Sequence, residues 1–269
     1  MIGALMLVLM ITIAMTLVVT KYVPRWMEDN EAEHMKEVSN QFAELKYTID
    51  TQILKSQILD SKNKETDVVM HIPIKLGTKG VPILARGSSS TLEINSYKNN
   101  FTVYNSTTIF ARSMGNIRLS SNNRYFTPQD YIYENGAVIV NQSNGQIMKI
   151  APQFSVKNES NGFSISIILI YIVGEKVVLS GTSGEEISTQ IFSYQSKNYF
   201  WIRENISFAI NSEYKLSWEN YINGIFEKNS MKLGIDYEIV RNGGGIIFIL
   251  HNIKTLNVGV AGVNTKIIT

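Results

Sequence analysis

The chain has 269 residues, a formal net charge of +2 and no cysteine. That length can bury one large core or two small ones. Without cysteine there are no disulfides, no thiol catalysis and no cysteine-based metal site, and the scattered Lys and Arg leave no nucleic-acid footprint.

No charged residue occurs between Met1 and Thr20, and Lys21 is the first. About 20 apolar residues at roughly 1.5 Å each match a hydrocarbon layer of about 30 Å. The run is too long for the apolar region of a cleavable secretory signal, and no small-residue cleavage site follows it. Thr12, Thr16 and Thr20 recur every fourth residue, where their hydroxyls can bond back to the preceding turn. The chain starts inside the apolar run, as expected if a basic leader had been removed. Trp26 stands at the position of an interfacial aromatic, and Pro24 is expected to kink or restart the helix. Glu28, Asp29, Glu31 and Glu33 would suit the positive end of a restarted helix. Met35, Val38, Phe42, Leu45 and Ile49, continued by Ile53, then form a heptad-like apolar seam with polar residues opposite. The seam can serve a filament stalk or pack on the chain's own body. A helix from Ile2 to Lys55 is roughly 80 Å long, and its second half is expected to carry the body clear of a membrane.

The predicted organisation is a helix over 1–56 (apolar over 1–20, amphipathic over 21–56), a polar linker over 57–66, and a β-rich body over 67–269. The body forms one unit, or two with a break near 200–211. Strand-like runs cover Val68 to Ile74, Leu92 to Ile94, Phe101 to Tyr104, Thr107 to Phe110 and Ile117 to Leu119. Tyr131 to Val140 contains the turn signal Glu-Asn-Gly-Ala and reads as a hairpin. Phe163 to Val173, rich in Ile and bounded by glycines, reads as a central strand. Val177 to Leu179 and Ile187 to Tyr194 continue the pattern. Ser212 is the expected cap of one late helix whose stripe is Tyr214, Trp218, Tyr221, Ile222, Ile225 and Phe226. Strands return at Tyr237 to Val240, Ile246 to Leu250 and Leu256 to Val260. The Gly243-Gly244-Gly245 turn lacks the lysine and following helix of a phosphate cradle. The fold class is thus α+β: a long N-terminal helix and a mainly antiparallel, sandwich-like β body with one helix near its C-terminal end.

Catalytic signals are absent. His34 is expected in solvent on the polar face of the helix, and His71 and His251 are structural in strand-like segments. Glu185-Glu186 points to opposite faces of a strand and makes no acid/base pair. No GxSxG elbow, zinc-binding helix or Walker loop occurs, so no enzyme activity, cofactor, metal or small-molecule substrate is expected. Asn100, Asn105, Asn141, Asn158 and Asn205 each head an Asn-x-Ser/Thr triplet, all in the body, and are glycosylation candidates.

The opening Ile2-Gly3-Ala4-Leu5-Met6-Leu7 with its long apolar helix resembles the mature N-terminus of archaeal type IV pilins and pilin-like surface proteins. Trp26 to Leu54 is similar to their stalk. Tyr133-Glu134-Asn135-Gly136-Ala137-Val138, and Ser212-Glu213-Tyr214 through Trp218 and Tyr221, resemble body motifs of large archaeal members. Leu5 stands where bacterial pilins carry an acidic residue. The resemblance implies a prepilin with a short basic leader, a membrane prepilin peptidase and an ATPase-driven assembly machinery. It also implies a membrane-inserted state before assembly and an extracellular helical homopolymer that exposes the body for adhesion. In such a filament Ile2, Gly3, Ala4, Leu5, Leu9, Ile13 and Leu17 would form the core helix. Packing at about 0.1–0.2 kcal/mol per atom contact would drive assembly, since lipid is already apolar. A repeated heterologous contact gives an open fibre. The alternatives are a monomeric membrane-tethered receptor or minor tip adhesin, an anchored hydrolase, and an archaellum subunit.

Overall fold

The computed structural model describes residues 2–60, 68–160, 162–200 and 204–268. The chain opens with α1 (Ile2–Leu17), one π-helical turn (Val18–Tyr22) and α2 (Val23–Asp60). Pro24 has no N–H for the Thr20 carbonyl, and its ring would press on that carbonyl. The helix widens instead, and the Val23 N–H reaches back to the Val18 carbonyl. It therefore does not restart at Pro24, and the expectation that Glu28, Asp29, Glu31 and Glu33 meet a new helix end is corrected. Because α2 continues to Asp60, residues 57–60 are helix and not linker. Residues 61–66 of the expected linker, and 201–203 within the expected break, lie outside the described residues.

The body begins with β1 (Val69–Lys75), β2 (Ser90–Ile94), β3 (Asn100–Tyr104), β4 (Ile109–Ser113) and β5 (Asn116–Ser121). Thr107 and Thr108, expected in a strand, lie in a turn, where the Asn105 Oδ1 accepts their backbone N–H groups at 3.1 and 2.7 Å. Next come β6 (Gln129–Glu134), β7 (Ala137–Gln142), β8 (Gly145–Ile150), β9 (Phe154–Glu159) and β10 (Gly162–Val173). Between β6 and β7, Asn135 and Gly136 both have positive φ (45° and 79°), as a two-residue type I′ hairpin turn requires. The rest is β11 (Val177–Gly181), β12 (Gly184–Phe200), β13 (Ile206–Asn211), α3 (Lys215–Lys228), β14 (Tyr237–Asn242), β15 (Gly245–Leu250) and β16 (Ile253–Ile268).

Three sheets result, in the orders β1-β12-β16-β10-β9, β11-β2-β5-β6-β7-β8 and β14-β15-β13-β3-β4. Strand pairing is antiparallel except between β10 and β16. β10 lies between β16 and β9, as its apolar content predicts.

Two cores stack along the long strands β10 and β16. The lower core joins the α2 seam to β1, β2, β5, β6 and β7, with Ile170, Ile172, Ala261 and Val263 from the later halves of β10 and β16. The upper core joins α3 and the third sheet to Phe163, Ile165, Leu256 and Val258 from the earlier halves. The β6–β7 hairpin serves both, with Tyr133 and Val138 facing the lower core and Ile132 and Ile139 the upper. Strand alternation divides one hairpin between two cores.

α3 buries Trp218, Ile222 and Phe226. Ser212 is not its cap. The helix starts at Lys215, and the Ser212 hydroxyl accepts the Tyr214 N–H at 3.0 Å and donates to Glu134 at 2.7 Å.

Candidate functional site: the N-terminal helix

No residue of α1 is buried. Ile2 is 79% exposed, Leu5 71%, Leu9 57%, Ile13 53% and Leu17 47%, and Gly3 and Ala4 are also exposed. The Thr12, Thr16 and Thr20 hydroxyls donate to the carbonyls four residues back at 2.8, 2.7 and 2.6 Å. Each threonine hydroxyl on this surface is thus satisfied within the helix, which apolar surroundings demand. The helix is long and apolar enough to cross a membrane.

Burial begins abruptly at Val23, which is 3% exposed, followed by Met27 at 0%. The body therefore covers the helix to within a turn of its apolar run. This corrects the expectation that α2 carries the body clear of a membrane. Met35, Val38, Phe42, Leu45, Ile49 and Ile53 are all buried in the lower core. The seam is occupied by the chain's own body. On the outer face of α2, Tyr47, Leu54 and Ile58 stay exposed at helical spacing.

Polar anchors hold body and helix together. Glu31, 1% exposed, accepts the backbone N–H groups of Arg124, Tyr125 and Phe126, the last two at 2.8 and 2.7 Å. Glu31 lies on the upstream extension of the seam, four residues before Met35, whereas Glu28 and Glu33 lie off it; the returning 122–128 loop supplies its partners. His34 is buried rather than solvated, with Nε2 2.8 Å from the Lys75 carbonyl. Burial lowers its pKa from 6.5. Gln52 donates to the carbonyls of Val68 and Thr189 at 3.0 and 2.9 Å. His71 and His251 lie 3.6 and 3.5 Å from Glu186 and Glu238.

Sequence reasoning also missed Glu134. It is fully buried and accepts from Tyr97 Oη, Ser212 Oγ and Trp218 Nε1 at 2.7 Å each, and from Asn99 Nδ2 at 3.1 Å. Burial raises its pKa above 4.5. Beside it the Asn135 Oδ1 accepts Ser113 Oγ at 2.8 Å and the Ile170 N–H at 3.0 Å. The hairpin turn is thereby pinned to the two other sheets and to α3.

Among the glycosylation candidates, Asn100, Asn158 and Asn205 are exposed, while Asn105 and Asn141 are half-buried. The Asn141 and Asn158 amide nitrogens donate to Asp130 Oδ2 at 3.2 Å and to the Asn229 carbonyl at 3.3 Å.

Comparison of the chain with protein-family models, curated proteins and solved structures found no match in any of the three. The pilin resemblance rests on the residues quoted for it.

Proposed function

We propose that this protein is the structural subunit of an extracellular, archaeal type IV-like pilus. It would be held in a membrane by its N-terminal helix and then polymerised through that same surface. The observation that carries the reading is the division of one continuous helix: its apolar half has no buried residue, while its amphipathic half is built into the lower core. Fully burying a Leu- or Ile-sized side chain is worth about 1.5–3 kcal/mol, so sixteen residues of bare apolar helix require a lipid or protein environment. A helix fixed rigidly to its body presents every copy in the same orientation, which repetition of one heterologous contact needs. Tyr47, Leu54 and Ile58 add an outward apolar stripe that neighbouring subunits could cover. The body then forms the outer sheath, offering its surface for adhesion and Asn100, Asn158 and Asn205 for glycans.

Purified surface filaments, imaged by negative stain and identified by mass spectrometry, test this. Filaments containing the chain are expected. Recovery only from detergent-soluble membranes, with no filament containing it, would replace the pilus by the tethered receptor, which the membrane-length apolar helix equally allows.

A further inference from the structure

One segment breaks a local rule with no gain inside the molecule. Residues 77–89 fold as a tight two-stranded ribbon, with Gly77 bridged to Ser89, the Thr78 N–H bonded to the Ser88 carbonyl at 3.1 Å, and Val81 bridged to Ala85. A Cβ on Gly80 or Gly87 would collide with a carbonyl of the opposite strand, so the ribbon is closely built. At its tip the Leu84 N–H bonds the Val81 carbonyl at 3.1 Å across Pro82 and Ile83. Pro at the second position and positive φ at the third describe a type II turn, whose third position favours Gly or Asn. Here it holds Ile83, at φ 68° and 106% exposed. A β-branched residue in a left-handed conformation, with its whole side chain in solvent, contributes nothing to the fold.

The chain that leads into the ribbon runs back along α2 toward its N-terminal end. Down the molecule, the Val68 carbonyl meets Gln52, Lys75 meets Gln41, Glu37 and His34, and the Lys79 carbonyl meets Asn30 at 3.4 Å. From Asn30 back to Thr20 is about 15 Å of helix. Four more ribbon residues, from Lys79 to Ile83, span up to about 13 Å. The 122–128 loop, held by Glu31, ends at the same level with Tyr125 41% exposed. These two segments carry exposed Lys79, Arg86 and Arg124 and no acidic side chain. Tyr22 and Trp26, 54% and 47% exposed and in ring contact, stand on the helix nearby.

We infer that the 77–89 ribbon is a membrane-contacting foot, which seats Ile83 among lipid headgroups while Lys79, Arg86 and Arg124 meet anionic lipid. Apolar tip, basic flanks and interfacial Tyr and Trp form the set that suits a lipid surface. The foot would set the angle of the body on the membrane before the subunit is withdrawn. The inference rests on α1 as a membrane anchor, but not on the filament.

The cysteine-free background permits a direct test. The full-length Ile83→Cys variant, labelled with an environment-sensitive fluorophore, is reconstituted in vesicles of phosphatidylcholine and phosphatidylglycerol bearing a shallow lipid quencher. Met10→Cys in α1 and Leu233→Cys, 62% exposed in the upper half, serve as controls. The label at 83 is expected to shift to the blue and lose most of its emission, less so in phosphatidylcholine alone, while the label at 233 stays unquenched. A quenched label at 10 with an unquenched label at 83 overturns the foot and leaves the anchor standing. An unquenched label at 10 overturns both. A label at 83 that is free in vesicles and buried only in assembled filaments overturns the lipid contact in favour of a contact between subunits.

Discussion

Single residues carry much of the joining between helix and body. Glu31 offers one carboxylate to three consecutive N–H groups, an arrangement that needs an acceptor-only side chain. Glu31→Gln turns an amide donor toward those donors, and a loss of about 1–3 kcal/mol in denaturant unfolding is expected, with faster proteolysis of the 122–128 loop. His34 and Glu134 give stability opposite dependences on pH. The His34 pKa is lowered on folding, so below 6.5 the unfolded chain takes up a proton that the folded one refuses. Stability is lost as pH falls through that window, and His34→Gln is expected to remove this loss from thermal melts. The Glu134 pKa is raised, so the folded chain holds its proton longer than the unfolded one. Its contribution is full below about 4.5 and declines as pH rises toward the folded value, a slope that Glu134→Gln should abolish. Ile83→Asn tests the strain at the ribbon tip: Asn tolerates positive φ, and an equal or higher melting temperature is expected despite the lost side chain.

At the scale of elements, the long helix is an exposed apolar segment and a buried amphipathic one in one geometry. The π turn before Pro24 keeps α1 and α2 continuous. Leu9→Lys places a charge in the middle of α1 at about 2.5–3.5 kcal/mol of membrane insertion. Because Leu9 is exposed, the melting of the body should not change while membrane recovery collapses. Any change in the melt would show that α1 packs on the body.

Across the whole molecule, the two cores are joined by β10 and β16, which run through both, and by the β6–β7 hairpin, buried on both faces. Phe42 is fully buried in the lower core and in ring contact with Tyr131 at 5.7 Å. Phe42→Ala is expected to cost about 3–5 kcal/mol. That loss should also lower the unfolding midpoint read at Trp218 in the upper core, with Trp26 and Trp201 replaced by Phe. Separate midpoints for the two cores would mean that the shared strands do not couple them.

Periodicity made much of this legible beforehand. The uncharged run to Thr20, the seam from Met35 to Ile53, the Asn135-Gly136 turn and the Ile-rich strand β10 are local patterns, and each element formed where its period called for it. Their boundaries moved where a partner intervened: α2 runs to Asp60, Asn105 ties Thr107 and Thr108 into a turn, and Ser212 bonds Glu134 instead of capping α3.

By itself, then, the sequence determined an apolar helix that must leave water, an amphipathic continuation that must pack, and a β body to receive it, because those demands follow from the spacing of apolar side chains along one chain. Tertiary structure alone decided that the body consumes the seam and reaches down to Val23. It also decided that Glu31, His34 and Glu134 are buried with partners from other elements, and that Ile83 stands bare at the tip of its ribbon. Hydrogen-bond partners of these three side chains come from segments 35 to 95 residues away, and no periodicity along the chain encodes which loop returns to which turn of the helix.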